Sequence, residues 1–174
     1  MDGGNARADN ETAAFQDVIE CVRQSRAACV IHTHAASRTM ADAANLSFDL
    51  TRIVKTVAFR ARSGAIVLAA LRGTRRVDYP KLAALIGLKR RDLAPLSAAE
   101  VKQLLGVEPG GVSPLPPRED VAIFIDNDAL TIRPTIFCGA GRQDKTLEIA
   151  PEDLVRLARA RTGDFSRSSE TGLG

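Results

Sequence analysis

Between residues 104 and 117 the chain reads LLGVEPGGVSPLPP, with three glycines (Gly106, Gly110, Gly111) and four prolines (Pro109, Pro114, Pro116, Pro117) in fourteen positions. No helix interior or central strand accommodates that composition. Proline lacks the N–H that both hydrogen-bond ladders use, and glycine carries backbone entropy that both must remove. The stretch therefore separates a first part, in which helical and extended patterns alternate, from a second part dominated by extended runs.

In the first part, ETAAFQDVIECVRQS places Phe15, Val18, Ile19 and Val22 at helical spacing, and ACVIHTH follows as a short β-prone run. SRTMADAANLS predicts a short helix. RIVKTVAFRAR and AIVLAAL then flank Ser63-Gly64 and predict a β-hairpin with a tight turn. VDYPKLAALIGL suits a helix with Pro80 in its first turn and Gly87 at its end. SAAEVKQLLG carries a full set of helix signals: Ser97 as N-cap, Glu100 three residues on to complete a capping box, and Gly106 as the stop. After the glycine-proline stretch, VAIFID, TIRPTIFC and TLEIA read as strands, and APEDLVRLARAR as a final helix opened by Pro151 with acids in its first turn. The late strands are too close together for βαβ crossovers. The expected fold is α/β, of the mixed α+β kind: one domain with a mixed, mostly antiparallel β-sheet or partial barrel surrounded by helices. Residues 12–161 form the expected domain, with flexible tails at 1–11 and 162–174.

With 174 residues and 45% hydrophobic content, the chain buries a core of one ordinary domain. Its 24 basic and 21 acidic residues leave a net charge of +3, which permits a nucleic-acid partner without requiring one. The basic clusters that would contact RNA are Arg72, Arg75 and Arg76; Lys89, Arg90 and Arg91; and Arg156, Arg159 and Arg161. Cys21, Cys29 and Cys138 are odd in number and unpaired in spacing, which points to a reducing compartment, and no apolar run approaches a membrane span or a signal peptide. The expected location is the cytoplasm.

Motifs for nucleotide cofactors are missing: there is no G-x-x-x-x-G-K-[ST], and CGAGRQD lacks the G-x-G-x-x-G spacing and the helix that should follow. No cofactor is expected. His32 and His34 share a strand face, but no further ligand has recognisable spacing, so no metal site is expected either. Lys55 is more informative. On strict alternation it shares a face with Ile53, Val57 and Phe59, the face that meets the core. A lysine there is costly unless it opens into a cleft and meets an anion, or sits at a sheet edge with its ammonium in water.

Four landmarks occur in a fixed order: His34 and Thr39 in HAASRT, Lys55 in IVKT, Gly110 to Pro114 in GGVSP, and GAGRQDKTLEIAPEDL. In these the chain resembles the YbaK family of aminoacyl-tRNA deacylases, related to the inserted editing domain of bacterial prolyl-tRNA synthetase and to the free-standing ProXp proteins. The resemblance covers about residues 12–161. It implies a trans-editing hydrolase that cleaves the ester of a small misattached amino acid (alanine, cysteine, serine or threonine) on tRNA, with mischarged tRNA and an aminoacyl-tRNA synthetase as partners. By the same resemblance Lys55, Gly110 and Gly111 are the catalytic group. Lys55 would position and polarise the substrate, and the two glycines would offer backbone N–H donors. His34, Thr39, Val112, Ser113, Pro114, Cys138 and Gly139 line the substrate pocket. Some relatives carry a histidine where this chain has FCGAG, so Cys138 and Gly139 shape that pocket differently. The alternatives are a non-catalytic tRNA- or synthetase-binding module with the same fold, and a small-molecule esterase that reuses the pocket.

Overall fold

The computed structural model describes residues 5–169, with side chains from residue 13 onward. The elements in chain order are α1 (Asn5–Ser25), β1 (Cys29–Thr33), α2 (Met40–Ala43), β2 (Val54–Ala61), β3 (Ile66–Arg72), β4 (Arg75–Val77), α3 (Tyr79–Leu85), β5 (Leu93–Pro95), α4 (Ala98–Leu105), β6 (Val121–Asp126), β7 (Ile136–Gly139), β8 (Lys145–Ile149), α5 (Pro151–Ala158), β9 (Arg161–Gly163) and β10 (Ser166–Ser168).

The β2–β3 hairpin is the centre of the molecule. It pairs in antiparallel register from Val54–Arg72 to Arg60–Ile66, and the Ser63-Gly64 turn closes on the Ala61 carbonyl. A five-stranded sheet in the order β5-β2-β3-β6-β9 grows from it, with β3–β6 and β6–β9 parallel. A three-stranded antiparallel sheet, β1-β8-β7, lies beside it, joined by a parallel bridge between Ile53 and Phe137. The two-stranded β10–β4 ribbon completes the set. The mixed, mostly antiparallel architecture expected from the sequence is therefore present, and no closed barrel forms. The late strands β6, β7 and β8 form no parallel pair with one another, as their spacing predicted; the two parallel pairs join β6 to strands farther off along the chain. The chain reaches β6 from β3 only after β4, α3, β5 and α4, and reaches β9 from β6 after β7, β8 and α5. Both routes are long enough for a crossover.

β3 is apolar without interruption from Ile66 to Leu71 because both of its faces are covered. Leu68 and Ala70 join a cluster that includes Val18, Val54, Ala58, Ile125, Leu147 and Leu154. Val67, Ala69 and Leu71 join a second cluster with Phe59, Leu82, Phe124 and Phe165 under α3. α4 begins with the capping box read from the sequence: Glu100 N–H donates to Ser97 Oγ at 3.2 Å, and Ser97 N–H to a Glu100 carboxylate oxygen at 2.8 Å.

Two boundaries differ from expectation. α1 begins at Asn5, inside the segment 1–11 read as a tail, while residues 1–4 lie outside the described residues. At the other end, where a tail was expected over 162–174, residues 161–168 form β9 and β10, and residues 170–174 lie outside the described residues. Phe165 is fully buried, and Asp126 fixes the segment by accepting the N–H of Phe165 (2.7 Å) and both the N–H and hydroxyl of Ser166 (2.9 and 2.7 Å). TIRPTIFC is a strand only from Ile136, since a single 3-10 turn (residues 129–131) and Pro134 occupy its first half.

Candidate active site

The glycine-proline stretch is held by contacts at its centre. Gln143 Nε2 donates to the Pro109 carbonyl at 2.7 Å, Gly141 N–H to the Gly111 carbonyl at 2.8 Å, and Ser37 N–H to the Gln143 carbonyl at 2.9 Å. Three separate segments are thereby tied together around residues 109–111. Gly110 has φ +87, and a Cβ there would lie 2.2 Å from the Ser37 carbonyl oxygen, so only glycine meets both demands. Gly139 is crowded in the same way: a Cβ would lie 2.2 Å from the Val112 carbonyl oxygen.

These contacts leave a cleft of about 380 Å³ between the start of β2, the loop before α2, the glycine-proline stretch and the end of β7. Of the residues expected from the sequence, His34, Thr39, Lys55, Gly110, Val112, Cys138 and Gly139 line it. Gly111, Ser113 and Pro114 do not. Gly111 N–H is spent on the Glu108 carbonyl at 3.0 Å, closing a turn. Ser113 Oγ accepts Leu115 N–H at 3.1 Å and faces a separate hollow of about 310 Å³ behind the loop. Pro114 is buried in the wall between. The loop thus presents one glycine N–H, that of Gly110, which has no partner among the described residues.

Lys55 is half-buried at the floor of the cleft. Its Nζ donates to the Gly73 carbonyl at 3.1 Å, and no carboxylate among the described residues pairs with it. Burial, aided by the nearby Arg76 guanidinium, pulls its pKa below the ordinary lysine value. The strand alternation that placed Lys55 against the core is correct in phase, since Val57 and Phe59 belong to the second cluster, but at position 55 the cluster has ended and the cleft begins.

His34 donates from Nδ1 to the Ala35 carbonyl at 2.6 Å, and its Nε2 is hydrogen-bonded to the Thr146 hydroxyl at 2.8 Å. Thr39 is the N-cap of α2. Its Oγ1 accepts Asp42 N–H at 3.1 Å, while the Asp42 carboxylate accepts the N–H groups of Arg38 and Thr39, and these bonds hold the Asp42 pKa below the carboxylate norm. The Cys138 thiol is fully buried, and desolvation pushes its pKa up to about 12, so it stays protonated and is no nucleophile. Among the described residues no three of His, Cys, Asp or Glu converge as a metal site would require. His32 instead donates from Nε2 to Glu148 at 2.7 Å, and Thr135, His32 and Arg52 together keep the Glu148 pKa low.

The sequence reading missed the aromatic rim. Phe48 stands 4.8 Å from Phe137, 5.3 Å from His32 and 5.4 Å from His34 by ring centroid, and the Arg52 guanidinium lies 4.5 Å over Phe137. A lone phenylalanine in the polar run NLSFDLTR was the available signal. Thr56 was missed too. It lines the cleft, but its Oγ1 is buried from solvent and has no hydrogen-bond partner among the described residues. Met40, Leu46 and Val54 add apolar wall to the cleft, and Ser37, Arg38, Gln143 and Thr146 add polar groups.

Three proteins compared with this chain share its sequence or shape. The uncharacterized protein YwhH of Bacillus subtilis is 29% identical over 130 residues, covering 74% of this chain and 80% of YwhH. The proline-tRNA ligase of Stenotrophomonas maltophilia (strain R551-3) is 31% identical over 172 residues, covering 93% of this chain but only 30% of that enzyme. A solved structure described as a candidate trans-editing enzyme for prolyl tRNA synthetase superposes with a TM-score of 0.73 at 24% identity, over 89% of this chain and 98% of that one. Residues 34–157, from the histidine at the cleft to the last helix, match the model of the aminoacyl-tRNA editing domain, and the chain belongs to that family.

Proposed function

We propose that the cleft is the active site of a trans-editing hydrolase, which removes a small, wrongly attached amino acid from tRNA. The observation that carries this reading is a lysine without a carboxylate partner and a Gly110 N–H without a hydrogen-bond partner, both among the described residues, on one concave surface. Such a surface suits an ester whose carbonyl oxygen gains negative charge on attack, because a poorly solvated cation and a fixed N–H interact strongly with that charge. In the reaction a water oxygen adds to the ester carbonyl carbon. The bond from that carbon to the ribose oxygen then breaks, and a proton from the water leaves with the ribose. Lys55 and Gly110 hold the oxyanion, and the Phe48 rim covers the terminal adenosine. Gly111, Ser113 and Pro114 act by shaping the loop.

Met40, Leu46, Val54 and Phe137 limit the size of the aminoacyl group. Such walls exclude a bulky cognate residue readily but separate substrates differing by one methylene by only about 1–3 kcal/mol. Alanine, cysteine, serine and threonine are therefore the proposed substrates. The likeness to proline-tRNA ligase and to the trans-editing structure favours tRNA for proline as the carrier, with a synthetase as partner. The proposed compartment is the cytoplasm, as the unpaired cysteines imply.

The test is deacylation of a panel of tRNAs charged with alanine, cysteine, serine, threonine and proline, with wild type beside Lys55→Ala. Selective loss of one mischarged species, slowed about 100-fold by the substitution, is expected. If no charged tRNA is cleaved faster than the buffer blank while tRNA is still retained, the protein is a binding module. Cleavage of a generic ester with aminoacyl-tRNA spared makes it a small-molecule esterase.

A further inference from the structure

The structure sorts the basic residues into those already engaged and those that are not. Arg72 and Arg75 turn toward Asp128, at 2.7 and 3.8 Å, Arg156 pairs with Asp153 at 2.7 Å, and Arg161 lies over the Phe124 ring. Arg76 and Arg167 behave differently, and Arg90, held by its hydrogen bond to the Leu93 carbonyl at 2.9 Å, stands beside them. They line a second groove of about 560 Å³ together with Tyr79, and that groove shares Lys55 and Val57 with the cleft. Arg76 and Arg167 are exposed and stand directly opposite one another in the β4–β10 register. Like charges in such a cross-strand pair repel. No carboxylate among the described residues pairs with Lys55, Arg76, Arg90 or Arg167; the one acid lining the groove, Asp78, is turned to cap α3 through Lys81 N–H at 3.1 Å. Arg90 sits 4.4 Å over the Tyr79 ring, which leaves a planar cation and an aromatic side by side at the groove wall.

We infer that this groove seats the sugar-phosphate backbone of a single-stranded RNA 3′ end, with Arg76 and Arg167 at a phosphate between them and Lys55 where the strand enters the cleft. A polyanion answers the repulsion among the four cations, and the Arg90–Tyr79 wall suits an unstacked base. The continuity of groove and cleft calls for a ligand longer than one nucleotide, one end of which carries the reacting group. The inference rests on the reading of the cleft given above. It also draws a functional part out of residues 161–168, since Arg167 is delivered by β10.

The experiment measures binding of an uncharged tRNA transcript by fluorescence anisotropy over a range of salt concentrations. The proteins are wild type, Arg76→Glu/Arg167→Glu, the milder Arg76→Gln/Arg167→Gln, and, as a control, Arg156→Glu, at a position that does not line the groove. Charge reversal is expected to weaken binding at least about tenfold and to flatten the slope of log K against log salt by about 0.7, the share of the one single-strand phosphate that the pair neutralises. The glutamine variant falls in between and melts no lower than wild type, because the repulsive pair is gone. On a transcript lacking the single-stranded 3′ nucleotides, wild type and variants should bind alike. Equal binding of full-length tRNA by wild type and both double variants overturns the inference, as does a difference that persists on the shortened transcript. Binding separates this result from the hydrolytic reading: a wild type that binds through the groove but cleaves no charged tRNA supports the groove and sinks the hydrolase, whereas active variants with unchanged KM for charged tRNA sink the groove alone.

Discussion

Lys55 shows how a single residue is placed for a task at some cost to the fold. Its ammonium is partly desolvated, has a carbonyl as its hydrogen-bond partner and lies near Arg76. The folded state therefore holds this proton less tightly than the unfolded chain does. Below the lowered pKa the penalty is fully present, and it is relieved as the pH rises from that value toward the ordinary 10.5. Lys55→Met should accordingly melt at or above the wild-type temperature at neutral pH, with the advantage shrinking as the pH approaches that of free lysine, while deacylation falls about 100-fold. Blank-corrected activity of the wild type should decline on the alkaline side earlier than an ordinary lysine titrates. A pH-independent rate in that range counts against the charged ammonium. Cys138 supplies the complementary case. With its pKa near 12 it presents no thiolate, so iodoacetamide at pH 8 should leave activity unchanged, and a rapid loss traced to Cys138 would reverse that assignment. Lys55 was legible because one cation interrupts an apolar strand. Thr56 and Phe48 were not, because a threonine in a strand and a phenylalanine in a loop have ordinary explanations until their neighbours are known.

Among the elements, the glycine-proline loop carries the site, and its role is conformational. Gly110 combines a positive φ with a carbonyl oxygen where a side chain would begin, and the Gly111 carbonyl and Pro109 carbonyl anchor it on either side. Gly110→Ala should cost about 1–3 kcal/mol by urea denaturation and should displace the 35–38 segment, lowering deacylation more than stability alone explains. A variant that unfolds and works like wild type would show that the loop accepts a side chain there. The composition of the loop announced that an unusual backbone was needed. Which of its donors stays free did not follow, since the Gly111 N–H is consumed by a turn within the loop and Gly110 is left exposed by a contact with a segment more than 70 residues away. The helices needed no such information: the capping box of α4 and the proline start of α5 are local signals, and both appear where the sequence places them.

In the molecule as a whole, the C-terminal residues 161–168 decide more than their composition suggests. β9 adds a parallel edge to β6, Phe165 fills the cluster beneath α3, and the buried Asp126 receives three hydrogen bonds from Phe165 and Ser166. Phe165→Ala should destabilise the protein by about 3–5 kcal/mol, and a loss below 1 kcal/mol by urea denaturation would mean that the segment folds apart from the rest. By itself the sequence determined the helices, the central hairpin, the mixed α+β class and the family resemblance, because hydrophobic period, caps and ordered motifs are properties of neighbours along the chain. The tertiary structure alone decided which glycine faces the cleft, which arginines are spent on Asp128 and Asp153, and that an apparent tail returns to pair with β4 and β6. Those outcomes depend on groups far apart in sequence competing for the same partners, and no local pattern records who wins.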